Sequence, residues 1–158
     1  MNEVSINKNK KLSEHFTLGE LTNTSYHTLG GNIPSHVAIE NLTRLCLWLE
    51  LLRERYNRRY GDGTKEIPVV ITSGYRSEEV NRLCGGAKGS NHLTGCAVDI
   101  RCAGPEQIIR YACILLDTAD ENNWELDELI QEKRGTTYWV HFAVRPKDNR
   151  RKILFDMR

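Results

Sequence analysis

The sequence contains no long apolar run. Nothing in it approaches the roughly 18 consecutive apolar residues of a membrane-spanning helix, so we expect no membrane insertion. Residues 1–12 are polar and carry several lysines, and they lack the apolar stretch of a secretory signal. We therefore expect synthesis in the cytoplasm without a signal peptide, and delivery by another route if the substrate lies outside the cell.

An excess of charge of one sign is also missing. The 158 residues include 22 Lys and Arg against 21 Asp and Glu, a formal net charge of +1. A chain so close to neutral lacks the field that attracts nucleic acid or anionic membranes. Basic residues gather at 53–59 and 145–158, but such runs are usually solvated surface. We predict no nucleic-acid partner, and a nucleic-acid binder using the basic C-terminal tail is the weakest alternative.

Paired cysteine motifs are absent as well. The number of cysteines is odd and no two of them have the C-x-x-C spacing of a structural zinc or redox site. We expect reduced, mostly buried thiols, which fits a reducing cytoplasm. The five cysteines are Cys46, Cys84, Cys96, Cys102 and Cys113.

Hydrophobic periodicity predicts one α+β domain, with helices packed on one face of a small, mostly antiparallel sheet. A chain of this length can bury one core but not two comfortable ones. Helices are predicted at 16–21 (with Thr17 as N-cap and Glu20 as its capping-box partner), 35–60 and 78–83, and from Pro105 onward. Strands are predicted at 67–72, 96–100, 126–132 and 138–144, the last two joined as a hairpin by 133–137.

Two histidines and one aspartate stand out as candidate metal ligands. His92 and Asp99 lie seven residues apart, and His141 lies in a later strand-like run. Strand alternation turns Asp99 and His141 away from the core. Two imidazoles and one carboxylate are a catalytic zinc set that leaves a fourth position for water. We predict one Zn²⁺ in a cleft on the face opposite the helices, whereas His27 and His36 are more typical of exposed loop residues.

These residues belong to a longer pattern that is similar to a known family. The motif Ser90-x-His92-x-x-Gly95-x-Ala97-x-Asp99, followed by Trp139-Val140-His141, resembles the zinc D-alanyl-D-alanine carboxypeptidase family. That family includes cell-wall carboxypeptidases, D-Ala-D-Ala dipeptidases and phage L-alanyl-D-glutamate endopeptidases. Blocks at 16–21, 72–77 and 126–132 are similar too, so the resemblance runs from about residue 16 to 145.

The resemblance implies a zinc metallopeptidase that hydrolyses peptide bonds in peptidoglycan stem peptides, with His92, Asp99 and His141 as ligands. Whether it is a D-Ala-D-Ala carboxypeptidase or an L-Ala-D-Glu endopeptidase stays open. We divide the chain into a loose leader at 1–14, a zinc peptidase-like domain at 15–146 and a basic C-terminal tail at 147–158. We expect a monomer that acts on the cell wall after release or delivery, as a phage or prophage product would.

The resemblance also suggests residues that contact the substrate. Arg76 matches the family arginine near the scissile group, where a guanidinium can bind a carboxylate or a developing oxyanion. Ser90 can hydrogen-bond a ligand or a substrate carbonyl. Tyr138 and Trp139 are further substrate-binding candidates beside His141.

The general base is less clear, because Tyr138 occupies the position where several family members carry an acid. A tyrosine with an ordinary pKa near 10 is a poor base near neutral pH. If the hairpin sets Glu132 opposite Trp139, Glu132 shares the face of His141, whereas a slip of one residue sends it to the core. We predict Glu132 as the base, with Glu128 on the same face as a third choice.

A second reading makes the chain a non-catalytic zinc-binding module that recognises cell wall or a protein partner. A fold does not determine a function, and one scaffold can serve both purposes. The tyrosine at the usual acid position is the feature that favours this alternative.

Overall fold

The computed structural model describes residues 5–158, so the first four residues of the predicted leader lie outside the described part. The helices are α1 (Leu18–Leu21), α2 (His36–Tyr60), α3 (Glu78–Leu83) and α4 (Pro105–Asn122), with a 3₁₀ helix at Asn91–Thr94. The strands are β1 (Ile71–Ser73), β2 (Ala97–Cys102), β3 (Glu128–Arg134), β4 (Thr137–Ala143) and β5 (Lys152–Met157).

The five strands form one sheet in the order β1-β2-β4-β3-β5. The β1–β2, β2–β4 and β3–β4 pairs are antiparallel, and β5 pairs with β3 in parallel. The predicted α+β class with a mostly antiparallel sheet is therefore confirmed. Because β2 pairs with β4 rather than with β3, the next strand along the chain, residues about 40 positions apart meet in the middle of the sheet.

The helices begin and end where capping chemistry favours it. At α1 the backbone N–H of Thr17 donates to Glu20 (2.8 Å) and the Glu20 N–H donates to the Thr17 hydroxyl, the predicted capping box. At α2 the Ser35 hydroxyl accepts from the Ala38 N–H. The helix α4 starts with Pro105 in its first turn and is followed by its C-cap Asn123, which adopts a left-handed conformation.

The core lies between the sheet and the two long helices. The strands β2 and β4 contribute Val98, Ile100, Val140 and Phe142, all fully buried. The Trp48 ring of α2 packs edge-on against Phe142, at 5.1 Å between ring centroids. Since side chains alternate along a strand, Asp99 and His141 point to the opposite face, which leaves that face for the site.

Two segments differ from the predicted strands. The first strand pairs only over Ile71–Ser73 instead of 67–72, because Pro68 lacks an N–H and Ile67 bonds to the Asn57 side chain instead. Residues 152–157, in the predicted basic tail, form β5 at the edge of the sheet. Among residues 5–158, no helix is at once long enough and apolar enough to span a bilayer.

Candidate metal centre

Three elements bring the predicted metal ligands together. Asp99 on β2 and His141 on β4 are direct partners in the antiparallel ladder, so their side chains share one face. His92 comes from the 3₁₀ helix, which Ser90 caps by accepting the His92 backbone N–H (3.2 Å). Gly95 ends that helix in a left-handed conformation (φ 73°) and turns the chain into β2.

The side-chain donors of these three residues converge closely. Asp99 Oδ1 lies 3.4 Å from His92 Nε2 and 3.0 Å from His141 Nδ1. One atom from each residue lies within 4.8 Å of the others, so the trio could hold a metal ion. Two imidazole nitrogens and one carboxylate oxygen are a donor set that suits zinc.

The second nitrogen of each imidazole has its own acceptor. His92 Nδ1 lies 2.7 Å from the Gly74 carbonyl, so this nitrogen donates and leaves the Nε2 lone pair for a metal. His141 Nε2 lies 3.3 Å from Glu128 Oε2, which in the same way leaves Nδ1 for a metal. Outer hydrogen bonds of this kind fix the ring orientation and tautomer of metal-binding histidines. The residues present therefore fit a metal of the zinc type.

Each charged group of the trio shifts the pKa of its neighbours. Burial opposes ionisation of Asp99, but the adjacent His92 and His141 rings outweigh it and lower its pKa well below the usual range. Burial likewise lowers the pKa of His141, yet its hydrogen bonds to Asp99 and Glu128 dominate and raise that pKa to about 9. The site thus attracts positive charge, and a metal ion would compete with the proton of His141 for it.

Arg76 reaches the site through Asp99. Its Nη2 donates to Asp99 Oδ2 (3.0 Å), and its Nε donates to the Ser73 hydroxyl (2.9 Å). The Arg76 backbone N–H also donates to the carbonyl of His92 (3.0 Å). These side-chain bonds use two of the five guanidinium N–H groups, so Arg76 orients a candidate ligand and retains donors for a substrate.

The β3–β4 hairpin brings Glu132 to the same face. Glu132 lies directly opposite Trp139, the register expected from the sequence, and both line the cleft with His141. Burial raises the pKa of Glu132, and the negative charge of Asp99 raises it further. A carboxylate with a raised pKa, on the floor of a cleft beside a metal site, has the properties that a general base needs.

The structure does not bring Tyr138 into the cleft. Tyr138 is one residue from Trp139 along β4, so alternation turns it to the opposite face, where it packs against the core. The chain thus places no acid three residues before His141, and this position contributes no side chain to the site. His27 and His36 are exposed and lie outside the trio.

The cleft around the trio has a volume of about 470 Å³ and is rimmed by basic side chains. Ser90 and Glu128 lie along it. The basic residues of the rim are Arg76, Arg134, Arg150 and Lys152. The same cleft contains Asp99, Glu128 and Glu132, so it combines acidic and basic side chains around the trio.

Sequence reasoning missed a polar cluster that supports Glu128. Asp127 is fully buried and accepts from Arg150 (Nε 3.0 Å, Nη2 2.7 Å) and from Asn91 Nδ2 (2.8 Å). Arg145 Nε donates to Asn91 Oδ1 (3.0 Å) and lies 3.1 Å from Asp127 Oδ2 as an ion pair. Asn91 and Arg150 each donate to Glu128 Oε1 as well, at 2.6 and 2.7 Å. The one signal of this cluster in the sequence was the acidic pair Asp127 and Glu128 beside the apolar residues of the predicted strand.

A trio of two histidines and one aspartate on the floor of an open cleft defines the chain as a candidate metallohydrolase. A family model described as Peptidase M15 matches residues 14–120, more than half of the chain. The chain therefore belongs to the Peptidase M15 family, whose members are zinc-dependent metallopeptidases, and the predicted resemblance is confirmed. The match includes Arg76, His92 and Asp99, and the sheet pairing adds His141. A search of curated proteins finds no match.

Proposed function

We propose that this protein is a one-zinc peptidase that hydrolyses peptide bonds in peptidoglycan stem peptides, with His92, Asp99 and His141 as the metal ligands. The observation that carries the proposal is the convergence of His92 Nε2, Asp99 Oδ1 and His141 Nδ1 at the floor of an open cleft. Membership of the Peptidase M15 family supports the reaction class.

A zinc ion bound to this trio would act as a Lewis acid and lower the pKa of a bound water toward 7. Glu132 accepts a proton from the attacking water and returns it to the leaving amine. Its position on the face of His141 and its raised pKa support this role. Glu128 is engaged by His141, Asn91 and Arg150, so it serves to orient the His141 ring.

The basic rim suits the carboxylates of a stem peptide. Arg76 uses its remaining N–H donors to orient a substrate carboxylate or to stabilise the oxyanion that develops on the scissile carbonyl. Ser90 and Trp139 line the same cleft and provide a hydroxyl and an aromatic surface for the peptide. The proposal covers both a C-terminal D-Ala-D-Ala bond and an internal L-Ala-D-Glu bond of the stem.

The cell wall is the site of action in this proposal, reached after release or delivery as in phage or prophage systems.

A second candidate function is a zinc-binding recognition module of the same fold. The specific observation in its favour is Tyr138, which stands three residues before His141 and packs into the core. In that case the cleft binds a wall peptide without cleaving it.

The test is hydrolysis of purified muropeptides by the zinc-loaded protein, with products identified by mass spectrometry. We expect the wild-type protein to cleave, with Glu132→Gln losing at least about 100-fold in kcat while binding one zinc ion. Glu125→Gln, an exposed glutamate outside the cleft, is the matched control and should be unaffected.

The products also identify the bond. Released D-alanine indicates a carboxypeptidase, and separation of L-alanine from D-glutamate indicates an endopeptidase. Full activity in Glu132→Gln would remove Glu132 from the mechanism. Zinc-loaded wild-type protein that binds muropeptides but yields no product would instead establish the recognition module.

A further inference from the structure

The two edges of the sheet are protected very differently. The β1 edge is three residues long, has an irregular register between Ile71 and Ser73, and follows Pro68. Short strands, irregular registers and prolines are the devices that keep sheet edges from pairing with other chains. The β5 edge (Lys152–Met157) is six residues long and contains no proline, and its register with β3 is regular.

The β5 edge also carries exposed apolar side chains. The exposed fractions are 40% for Ile153, 41% for Leu154, 71% for Phe155 and 46% for Met157. Ile153 lies beside buried Leu129 of β3, on the side of the sheet that the helices cover elsewhere. A regular edge strand with an uncovered apolar face is the feature of a sheet that most favours pairing with another strand.

The outer backbone groups of β5 are available for such pairing. The N–H groups of Lys152 and Arg158 donate to the carbonyls of Asp127 and Lys133 (both 2.8 Å), so the even-numbered residues bond inward to β3. Because backbone groups alternate in direction along a strand, the N–H and C=O of Ile153 and Phe155 point outward. Within residues 5–158, no strand lies beyond β5.

We propose that β5 pairs in antiparallel fashion with β5 of a second copy of this chain, about a two-fold axis at Leu154. In this register Lys152 faces Asp156 of the second copy, and the two-fold axis makes two such ion pairs. On the other face Ile153 packs against Phe155 of the second copy, again twice. Ile153 and Phe155 are also the residues whose outward backbone groups exchange hydrogen bonds in this register.

Charge selects this register over its neighbours. An axis at Phe155 places Lys152 opposite Arg158, which are like charges, and an axis at Ile153 places Lys152 opposite Leu154. Like charges directly opposite each other destabilise a strand pair, whereas opposite charges stabilise it. The sequence of β5 is therefore complementary to itself around Leu154, which favours a second copy of this chain over an unrelated strand.

The contact is small, so the association is weak. Two six-residue strands bury less than the roughly 800 Å² per partner of a standard stable interface, and we expect a dissociation constant above about 1 µM. The dimer departs from the monomer expected from the sequence. It does not depend on the proposed peptidase activity, because no side chain in the pairing is a proposed metal ligand or base, although Lys152 also belongs to the basic rim of the cleft.

Sedimentation velocity across a concentration series of about 10 µM to 1 mM tests the pairing. We expect wild-type protein to shift to the mass of two chains. Asp156→Lys should weaken the association at least 10-fold, because it places a second positive charge opposite Lys152. The substitution should not destabilise the monomer. Within one chain, position 156 lies beside Glu132 on β3, so the new lysine has an acidic neighbour. The ion pair between Asp156 and Arg158 that is lost is exposed and contributes little.

A charge-swapped variant and a charge-matched control complete the comparison. Lys152→Asp combined with Asp156→Lys restores opposite charges across the axis and should recover the dimer. Asp62→Lys makes the same charge change on an exposed loop and should leave the dimer unaffected. Protein that stays monomeric at 1 mM, or that forms open-ended aggregates instead of a dimer, would overturn the proposal.

A cysteine substitution tests the register itself. Opposed residues at the axis lie about 4.5–5.5 Å apart between Cα atoms, within disulfide range, so Leu154→Cys should form a covalent dimer under mild oxidation. Asp156→Cys lies on the same edge but about 14 Å from its counterpart in this register, and should not. Both are made with Cys84→Ser and Cys113→Ser, since these are the native thiols that are not buried. Equal cross-linking of the two variants, or none in either, would contradict the register.

Discussion

At the scale of single residues, the centre depends on how the two oxygens of Asp99 are divided. Oδ1 faces both histidine nitrogens, and Oδ2 accepts from Arg76. A carboxylate held in this way presents one oxygen in a fixed direction, so it is already ordered before any metal binds. Arg76 therefore belongs to the candidate metal centre as well as to the cleft around it.

This division predicts the effect of changing Arg76. Arg76→Ala frees Asp99 Oδ2, and we expect zinc affinity to fall by about 10- to 100-fold, as measured by competition with a chromogenic chelator. The zinc affinity of Arg76→Lys should lie between those of wild type and Arg76→Ala, because an ammonium group cannot bond Asp99 and Ser73 at the same time, as a guanidinium does. Arg82→Ala removes an exposed arginine from α3 and serves as the control. Unchanged zinc affinity in Arg76→Ala would show that Asp99 needs no such support.

The residue types of the site could be predicted from the sequence, but their contacts could not. Strand alternation in β2 and β4 predicted a shared face for Asp99 and His141, and the spacing between His92 and Asp99 added the third candidate ligand. The bond from Arg76 to Asp99 could not be predicted, since it joins a loop to a strand whose separation depends on the packing of β1 against β2. Tyr138 differs, because the alternation that turns His141 toward the site also turns Tyr138 toward the core, so its absence from the cleft could have been predicted.

At the scale of elements, the short 3₁₀ helix that carries His92 is fixed by contact with α2. Asn41 of α2 donates its side-chain N–H to the Thr94 carbonyl (2.8 Å), and Gly95 lies directly against the Ala38 carbonyl of the same helix. An added Cβ at Gly95 would lie 2.4 Å from that backbone oxygen. Only glycine allows both this close approach and the left-handed conformation.

We expect Gly95→Ala to lower the free energy of unfolding by about 3 kcal/mol, about 1 from the left-handed conformation and about 2 from the clash with α2. Gly135, in the β3–β4 turn, has φ 60° but open space where its Cβ would be. Gly135→Ala is therefore a control for conformation alone and should cost about 1 kcal/mol. Urea unfolding measures both, and equal losses would mean that the clash relaxes without cost.

The elements with local signals were predictable, and those that depend on distant pairing were not. The α1 capping box, the α2 stripe and the register of the β3–β4 hairpin all follow from residues close in sequence. The strand β5 pairs with β3 in parallel, across some twenty residues, and its residues alone resemble a basic tail with an apolar segment.

At the scale of the whole molecule, a charge cluster around buried Asp127 links the 3₁₀ helix of His92, the start of β3 and the loop from β4 to β5. Asp127 immediately precedes β3, Asn91 belongs to the 3₁₀ helix, and Arg145 and Arg150 lie in the loop from β4 to β5. These segments are far apart in the sequence, so the cluster forms only when the chain folds. Breaking a buried ion pair leaves its remaining partners without compensation, which costs more than an exposed pair would.

The cluster predicts how stability depends on pH. Burial opposes the ionisation of Asp127, but hydrogen bonds from Arg150 and Asn91 outweigh it and hold its pKa well below the usual value. A group whose pKa is lower in the folded state stabilises the protein above its unfolded pKa, here about 3.9. That contribution is lost as the pH falls below about 4 toward the folded pKa, because the unfolded chain then binds more protons.

We therefore expect Asp127→Asn to lower the free energy of unfolding by about 3 kcal/mol at pH 7 and to flatten its decline between about pH 4 and 2. Urea unfolding of metal-free protein at a series of pH values measures both effects, and the difference from wild type isolates Asp127 from the other acids. Asp148→Asn makes the same chemical change at an exposed position of the β4–β5 loop, where asparagine tolerates the left-handed conformation, and should leave the curve unchanged. If the free energy of unfolding declined with falling pH equally in wild type and Asp127→Asn, the pKa of Asp127 would be the same in the folded and unfolded chains. The cluster would then contribute nothing to the pH dependence of stability.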